Sequence, residues 1–296
     1  MSEKRIRKPI YGKERMGRLV KWFFGLPLIF IIYIILTMVM PHREMGQRMS
    51  IFLNILSYAT FIMVTIVVVT RFLKFPFRKM LSEGMTFRAR PFGIGLVAML
   101  VAGAGSTFIQ MAVSPEDFTY TLQRGWPVDF LLAFVLVALA AFLEEVLCRA
   151  YVAYFVSDDM ERRGKQKLWY CLASAVVFTV FHFQNPEVHG PQAIYAMVFY
   201  FIMGFALMAV TLRTRGIEAA IGIHLANNLV NAWLFTYKDA ALITNAVWTH
   251  SNNIGPWMVV QTVICVVLSC GVVILFSGRK TATGSATGSA AGNVKE

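Results

Sequence analysis

The chain has 296 residues, of which 57% are hydrophobic and 15% charged, and its mean hydropathy is +0.60. A soluble globular protein carries about a quarter charged residues, so this composition excludes a soluble fold and requires lipid to cover the apolar excess. The formal net charge of +12 is that of a membrane protein facing anionic lipid at the cytosolic surface, not of a nucleic-acid binder.

Residues 1–19 are basic, and the apolar run after them is of spanning length. A signal peptide has a short apolar core and a small-residue cleavage site, so this segment reads as a retained cytosolic tail. A span needs about 20 mostly apolar residues. Eight segments qualify, at roughly 20–40, 49–73, 92–113, 126–156, 167–183, 192–212, 216–236 and 256–278. The fourth is long and has to tilt or project beyond the bilayer. The fifth is short, and the seventh is polar enough to escape a hydropathy scan. The first two and the third form an N-terminal membrane region (20–125). Spans four to seven form a core (126–236), and an outer loop precedes the last span (237–278). The low-complexity end, 279–296, reads as a disordered cytosolic tail.

Lys and Arg placement orients the spans, because cytosolic loops hold the excess. With the N-terminus inside, 23 of the 28 Lys and Arg fall on the cytosolic side. Arg43, Arg48, Arg124 and Lys238 fall outside, and Arg149 lies within the membrane. The expected fold is therefore all-α: a polytopic membrane helical bundle of about eight transmembrane helices with both termini cytosolic. Cys148, Cys171, Cys265 and Cys270 sit in apolar runs with no CxxC pair. They are expected to be small hydrophobes, with no disulfide and no thiolate metal site.

Span four contains AFLEEVLCRAYV, residues 141–152. A charged side chain at a helix centre costs about 2.5 to 3.5 kcal/mol on insertion scales, so each one needs a reason. Glu145 and Arg149 are four apart and form an ion pair on one helix face. Glu144 is turned about 100° away, and its own i+4 position is Cys148. It is left as an uncompensated carboxylate, suited to take and give a proton. Span five ends in FTVFHFQN, with Phe178 and His182 on one face. In span seven, His224, Asn228 and Asn231 recur at i, i+4 and i+7, with Asn227 off to the side. Asn231 reads as interhelical glue. Glu144, His182, His224 and Asn228 lie at depths that allow one carboxylate, two imidazoles and an amide to meet among three helices. His42, His189 and His250 fall in outer loops. Asp129 and Glu218 sit near helix starts, where a carboxylate suits the dipole.

EEVLCR fits EExxxR, FTVFH fits FxxxH and HLANN fits HxxxN. In this order on successive helices, residues 126–236 resemble the CAAX protease and bacteriocin-processing family of intramembrane proteases, also called the Abi family. The resemblance implies an all-helical membrane endopeptidase whose cavity opens towards the cytosol. It implies that Glu144 activates water and His182 assists. His224 and Asn228 would hold the oxyanion, Glu145 and Arg149 would fix the geometry, and Phe178 would pack beside the site.

A metal is left open. Glu144, His182 and His224 would make a three-ligand zinc site with a free position. Glu145 would then have to act as base while paired with Arg149, and no HExxH is present, which favours metal-independent glutamate catalysis. The expected substrate is a membrane-embedded or lipid-anchored peptide or protein. The expected location is a cell membrane, that of a prokaryote given the short loops. Two other readings are a catalytically silent scaffold and a proton-coupled transporter. Against the transporter stands the lack of an internal repeat.

Overall fold

The computed structural model describes residues 12–38, 46–156, 167–190, 192–237, 240–241, 244–251 and 255–276. Most of the basic tail, His42, Arg43, Lys238 and the expected C-terminal tail lie outside these residues.

The described chain is nearly all helix. Helix α1 is Gly12–Thr37, and α2, Gln47–Val67, runs on through a π-helical turn, Val68–Phe72. A short α3, Phe77–Leu81, precedes α4, Ala89–Val113, and the strand β1, Phe118–Tyr120. Helix α5, Trp126–Glu145, passes through a π segment, Val146–Tyr151, into α6, Val152–Val156. Then come α7, Lys167–Phe181, and α8, Ala193–Thr214. Helix α9, Glu218–Leu229, ends in a π turn, Val230–Leu234. Strands β2, Phe235–Tyr237, and β3, Trp248–His250, lead to α10, Pro256–Phe276.

Six helical stretches are long and apolar enough to cross a membrane. They correspond to the expected spans one to four, six and eight, so this is a multi-pass membrane protein. The fifth expected span is the shorter apolar helix Lys167–Phe181. The seventh is α9 with its π turn. The three strands were not expected. They form one small sheet in the order β1-β3-β2, with β3 antiparallel to β1 and parallel to β2.

The connections define two ends of the bundle. One end holds the sheet, the 182–192 loop and the ion pair of Arg48 with Asp129 at 2.6 Å. The other holds α3 and the α8–α9 turn, joined where Ile217 N–H donates to Leu81 O. This second end carries Arg71, Lys74, Arg78, Lys79, Arg88, Arg213 and Arg215. Glu218 does more here than suit a helix dipole. It is fully buried and takes two hydrogen bonds from the Arg88 guanidinium, at 2.8 and 2.7 Å. Asp129 likewise pairs with Arg48 and accepts from Asn245 at 2.8 Å.

Helices without a hydrophobic drive between them associate through close backbone contact at small residues. Helices α4 and α9 do so at Gly95 and Gly222. A Cβ at Gly95 would lie 2.7 Å from Ala219 O, and one at Gly222 would run into Phe92 O. Helices α7 and α8 meet at Gly204, where a Cβ would lie 2.6 Å from Ala175 Cα. Because the obstructing atoms are backbone, Gly222→Val has to part α4 from α9. The expected cost is about 1–3 kcal/mol, read as a lower thermal midpoint of the detergent-solubilised protein.

Candidate active site

Glu144 and Glu145 close the α-helical part of α5, and the π segment begins at the next residue. Short π segments inside α-helices are frequent at functional sites. Here the segment carries Arg149 directly below the two carboxylates. Arg149 and Glu145 are both fully buried, with Arg149 Nη1 3.1 Å from Glu145 Oε1. The expected pair is present, and it is part of a larger group. Glu145 Oε1 is also 2.7 Å from His224 Nδ1 on α9. The guanidinium lies 4.2 Å from the Phe178 ring centroid on α7, a cation–π contact, and its Nη2 donates to Met203 O on α8 at 3.4 Å. Arg149 thus holds α5, α7 and α8 together under the site.

Phe178 packs beside both imidazoles, with ring centroids 4.3 Å from His182 and 5.7 Å from His224. His182 Nδ1 is 2.7 Å from Phe178 O. A carbonyl only accepts, so Nδ1 carries the proton, and neutral His182 presents the Nε2 lone pair. His224 Nδ1 donates to Glu145 in the same way, which turns its Nε2 towards Glu144.

The two Nε2 atoms converge on one oxygen. Glu144 Oε2 is 3.5 Å from His182 Nε2 and 3.7 Å from His224 Nε2. It is buried and has no hydrogen-bond partner among the described residues. No donor among the described residues therefore reaches Glu144 Oε2 at contact distance. The fourth candidate, Asn228, lines the same cavity and accepts from Asn227 Nδ2 at 3.2 Å through its Oδ1. Its own Nδ2–H groups are left to serve the cavity.

The cavity has a volume of about 450 Å³ and is lined from α1, α2, α5, α7, α8, α9, α10 and the loops of the sheet end. Asn227 is not off to the side: it is buried and lines this space. Asn231 is not interhelical glue. It also lines the cavity, and its Nδ2 donates to Asn227 O of its own helix at 2.9 Å, where α9 widens into its π turn. His250 is not free in a loop but buried, 3.2 Å from Gln110 of α4 and edge-on to Phe118.

A second polar group in the cavity was not foreseen. Glu187, 7% exposed, accepts a short hydrogen bond from Tyr200 Oη. Asn185 donates to Tyr200 Oη at 2.9 Å, and the Tyr200 ring stacks on His182 with centroids 4.0 Å apart. Tyr237 of β2 lies beside them. Burial and then the nearby Glu187 carboxylate push its phenol up, so it stays protonated at neutral pH. The only signal in the sequence was Glu187 and Asn185 just after FxxxH; nothing linked them to Tyr200 or Tyr237. Among the described lining residues the only formally charged side chains are Glu144 and Glu187, with no Lys or Arg.

The donor types of Glu144, His182 and His224 suit zinc, but their grouping does not. Among the described residues no three His, Cys, Asp or Glu side chains are grouped to hold a metal ion. No step below passes through a metal.

A buried carboxylate, two oriented imidazoles and an amide thus line one cavity inside a membrane bundle. Residues 125–230 match the family described as type II CAAX prenyl endopeptidase Rce1-like, consistent with the resemblance carried by EExxxR, FxxxH and HxxxN. The chain is 27% identical over 170 residues to the uncharacterized protein YyaK of Bacillus subtilis (strain 168). That match covers 57% of this chain and 55% of the relative, so the chain spans about half the length of the curated relative it matches. No solved structure matches.

Proposed function

We propose that the protein is an intramembrane endopeptidase that hydrolyses a peptide bond of a membrane-embedded or lipid-anchored substrate, without a metal. The observation that carries this reading is the convergence of two imidazole Nε2 atoms on Glu144 Oε2 in a cavity within the bundle. Two acceptor atoms, Glu144 Oε2 and His182 Nε2, face one point and leave room for a donor beside them, and a water molecule is such a donor.

In this reading water donates to Glu144 Oε2 and to His182 Nε2. Glu144 takes one proton as the water oxygen attacks the carbonyl carbon. The carbonyl electrons move onto oxygen, and the oxyanion accepts hydrogen bonds from Asn228 Nδ2 and from His224 Nε2. His224 serves as donor when doubly protonated, with Nδ1–H on Glu145 and Nε2–H on the oxyanion. Collapse breaks the C–N bond, and Glu144 returns its proton to the leaving amine. Stacking on Tyr200, itself tied to Glu187, fixes the His182 ring. The protein would act in a prokaryotic cytoplasmic membrane, with its basic loops against anionic lipid.

Removing one oxyanion donor from a water-poor site costs about 10²–10³ in kcat. Asn228→Ala is expected to lose that much with little change in KM, since the donor acts on charge that develops only in the transition state. An Asn228→Ala protein that keeps full kcat removes Asn228 from the chemistry. Tyr200→Phe keeps the stacked ring but drops the bond to Glu187. It is expected to slow cleavage by less than Asn228→Ala does, measured on the same substrate.

A further inference from the structure

The expected cytosolic opening does not agree with where the cavity is lined and where it is sealed. On the side of the basic loops, α5 continues below Glu144 into solid packing. Cys148, Arg149, Ala150, Tyr151 and Tyr154 are all buried, and so are Met80 of α3 and Ile217 of the α8–α9 turn. No residue of the described basic-end loops lines the cavity.

The opposite side is different. Asn185, Thr236, Tyr237, Ala240 and Ala241, all from the loops of the sheet end, line the cavity. None of them is buried, and Ala241 is exposed. Asn54 near the start of α2, Tyr200 near the start of α8 and Met258 near the start of α10 also line the cavity. The side chains therefore form a well open at the sheet end and floored by the Arg149 group.

Charge then orients the well. The sheet end carries Arg48 and Arg124, and the sequence between its elements adds Arg43 and Lys238, against the many Lys and Arg of the other end. Basic loops stay on the cytosolic side. We infer that the cavity is entered from the non-cytosolic face, so that its substrates are peptide segments presented at that face of the membrane. The assignment of substrates rests on the endopeptidase reading; the direction of entry does not. Among the described residues no path leads to Glu144 from the cytosolic side, whereas an exported or membrane-inserted peptide reaches it from the sheet end.

The test is thiol labelling with a membrane-impermeant sulfonated maleimide, on the full chain expressed in a bacterial host. The four native cysteines are buried, and the unaltered chain supplies the background. Three single variants are compared in right-side-out and inverted membrane vesicles: Ala241→Cys at the mouth, Thr236→Cys inside the cavity and Arg78→Cys at the basic end. Labelling of Ala241→Cys and Thr236→Cys only in right-side-out vesicles, and of Arg78→Cys only in inverted ones, is the expected pattern. The reverse pattern overturns the inference. So does a Thr236→Cys that labels only from the inverted side or from neither side. Labelling needs no cleavage, so failure of the endopeptidase reading leaves this result standing, and the converse holds too.

Discussion

Arg149→Met is expected to cost about 3–5 kcal/mol of stability, the usual penalty for stripping one partner from a buried ion pair. The methionine matches the apolar stem and leaves the space filled. What it removes is the cation that balances Glu145, at a site where neither residue has any exposed surface. It also removes the cation–π contact to Phe178 and the bond to Met203 O, so α5, α7 and α8 lose their common anchor. The loss should appear as a lower thermal midpoint in detergent and as reduced abundance in membranes. The companion Glu145→Gln/Arg149→Met removes both charges and should recover part of the loss, because a neutral pair leaves no uncompensated charge behind. It should not recover activity, since the amide that replaces the Glu145 carboxylate no longer gives His224 Nδ1–H a charged acceptor to orient the ring. A single variant as stable as the parent would mean that Arg149 does not balance Glu145.

Glu144→Gln is expected to be nearly silent in stability and to lose activity by at least about 10²–10⁴-fold, the contribution of a positioned acid–base group. The side chain keeps its shape. The carboxylate has no hydrogen-bond partner to lose at Oε2. The amide cannot take the water proton or return one to the leaving amine. The two variants separate the roles of adjacent residues: the first damages the scaffold under the site, the second only the chemistry in it. Activity surviving in Glu144→Gln would assign the base elsewhere, with Glu187 the other carboxylate in the cavity.

That the candidate residues meet in one cavity was legible because side chains at i+4 spacing, polar ones above all, stand out in apolar runs. Glu145 with Arg149, Phe178 with His182, and His224 with Asn228 are each one helical turn apart, and each pair is found on one face. What joins the pairs was not legible. The contact of Glu145 with His224 and that of Arg149 with Phe178 cross between helices, and their geometry depends on close approaches at Gly95, Gly204 and Gly222. The Glu187, Tyr200 and Tyr237 group was missed for a related reason. Its members come from a loop, a helix start and a three-residue strand, so no period connects them. Strands of three residues carry too little alternation to be seen against spans of apolar sequence. Asn231 was misread because the π turn after Leu229 changes which groups the last turn of α9 presents. His250 was read only as a residue of an outer loop, but that loop folds back onto Gln110.

The central claim is that Glu144 drives peptide-bond hydrolysis, and it can be tested without knowing the substrate. Peptide termini are compared in native membranes carrying the unaltered protein or Glu144→Gln at equal abundance. The account predicts a set of new termini, on segments from the non-cytosolic side of the membrane, that appear only with the unaltered protein. Identical termini in both membranes would contradict it and leave a membrane scaffold as the reading to pursue.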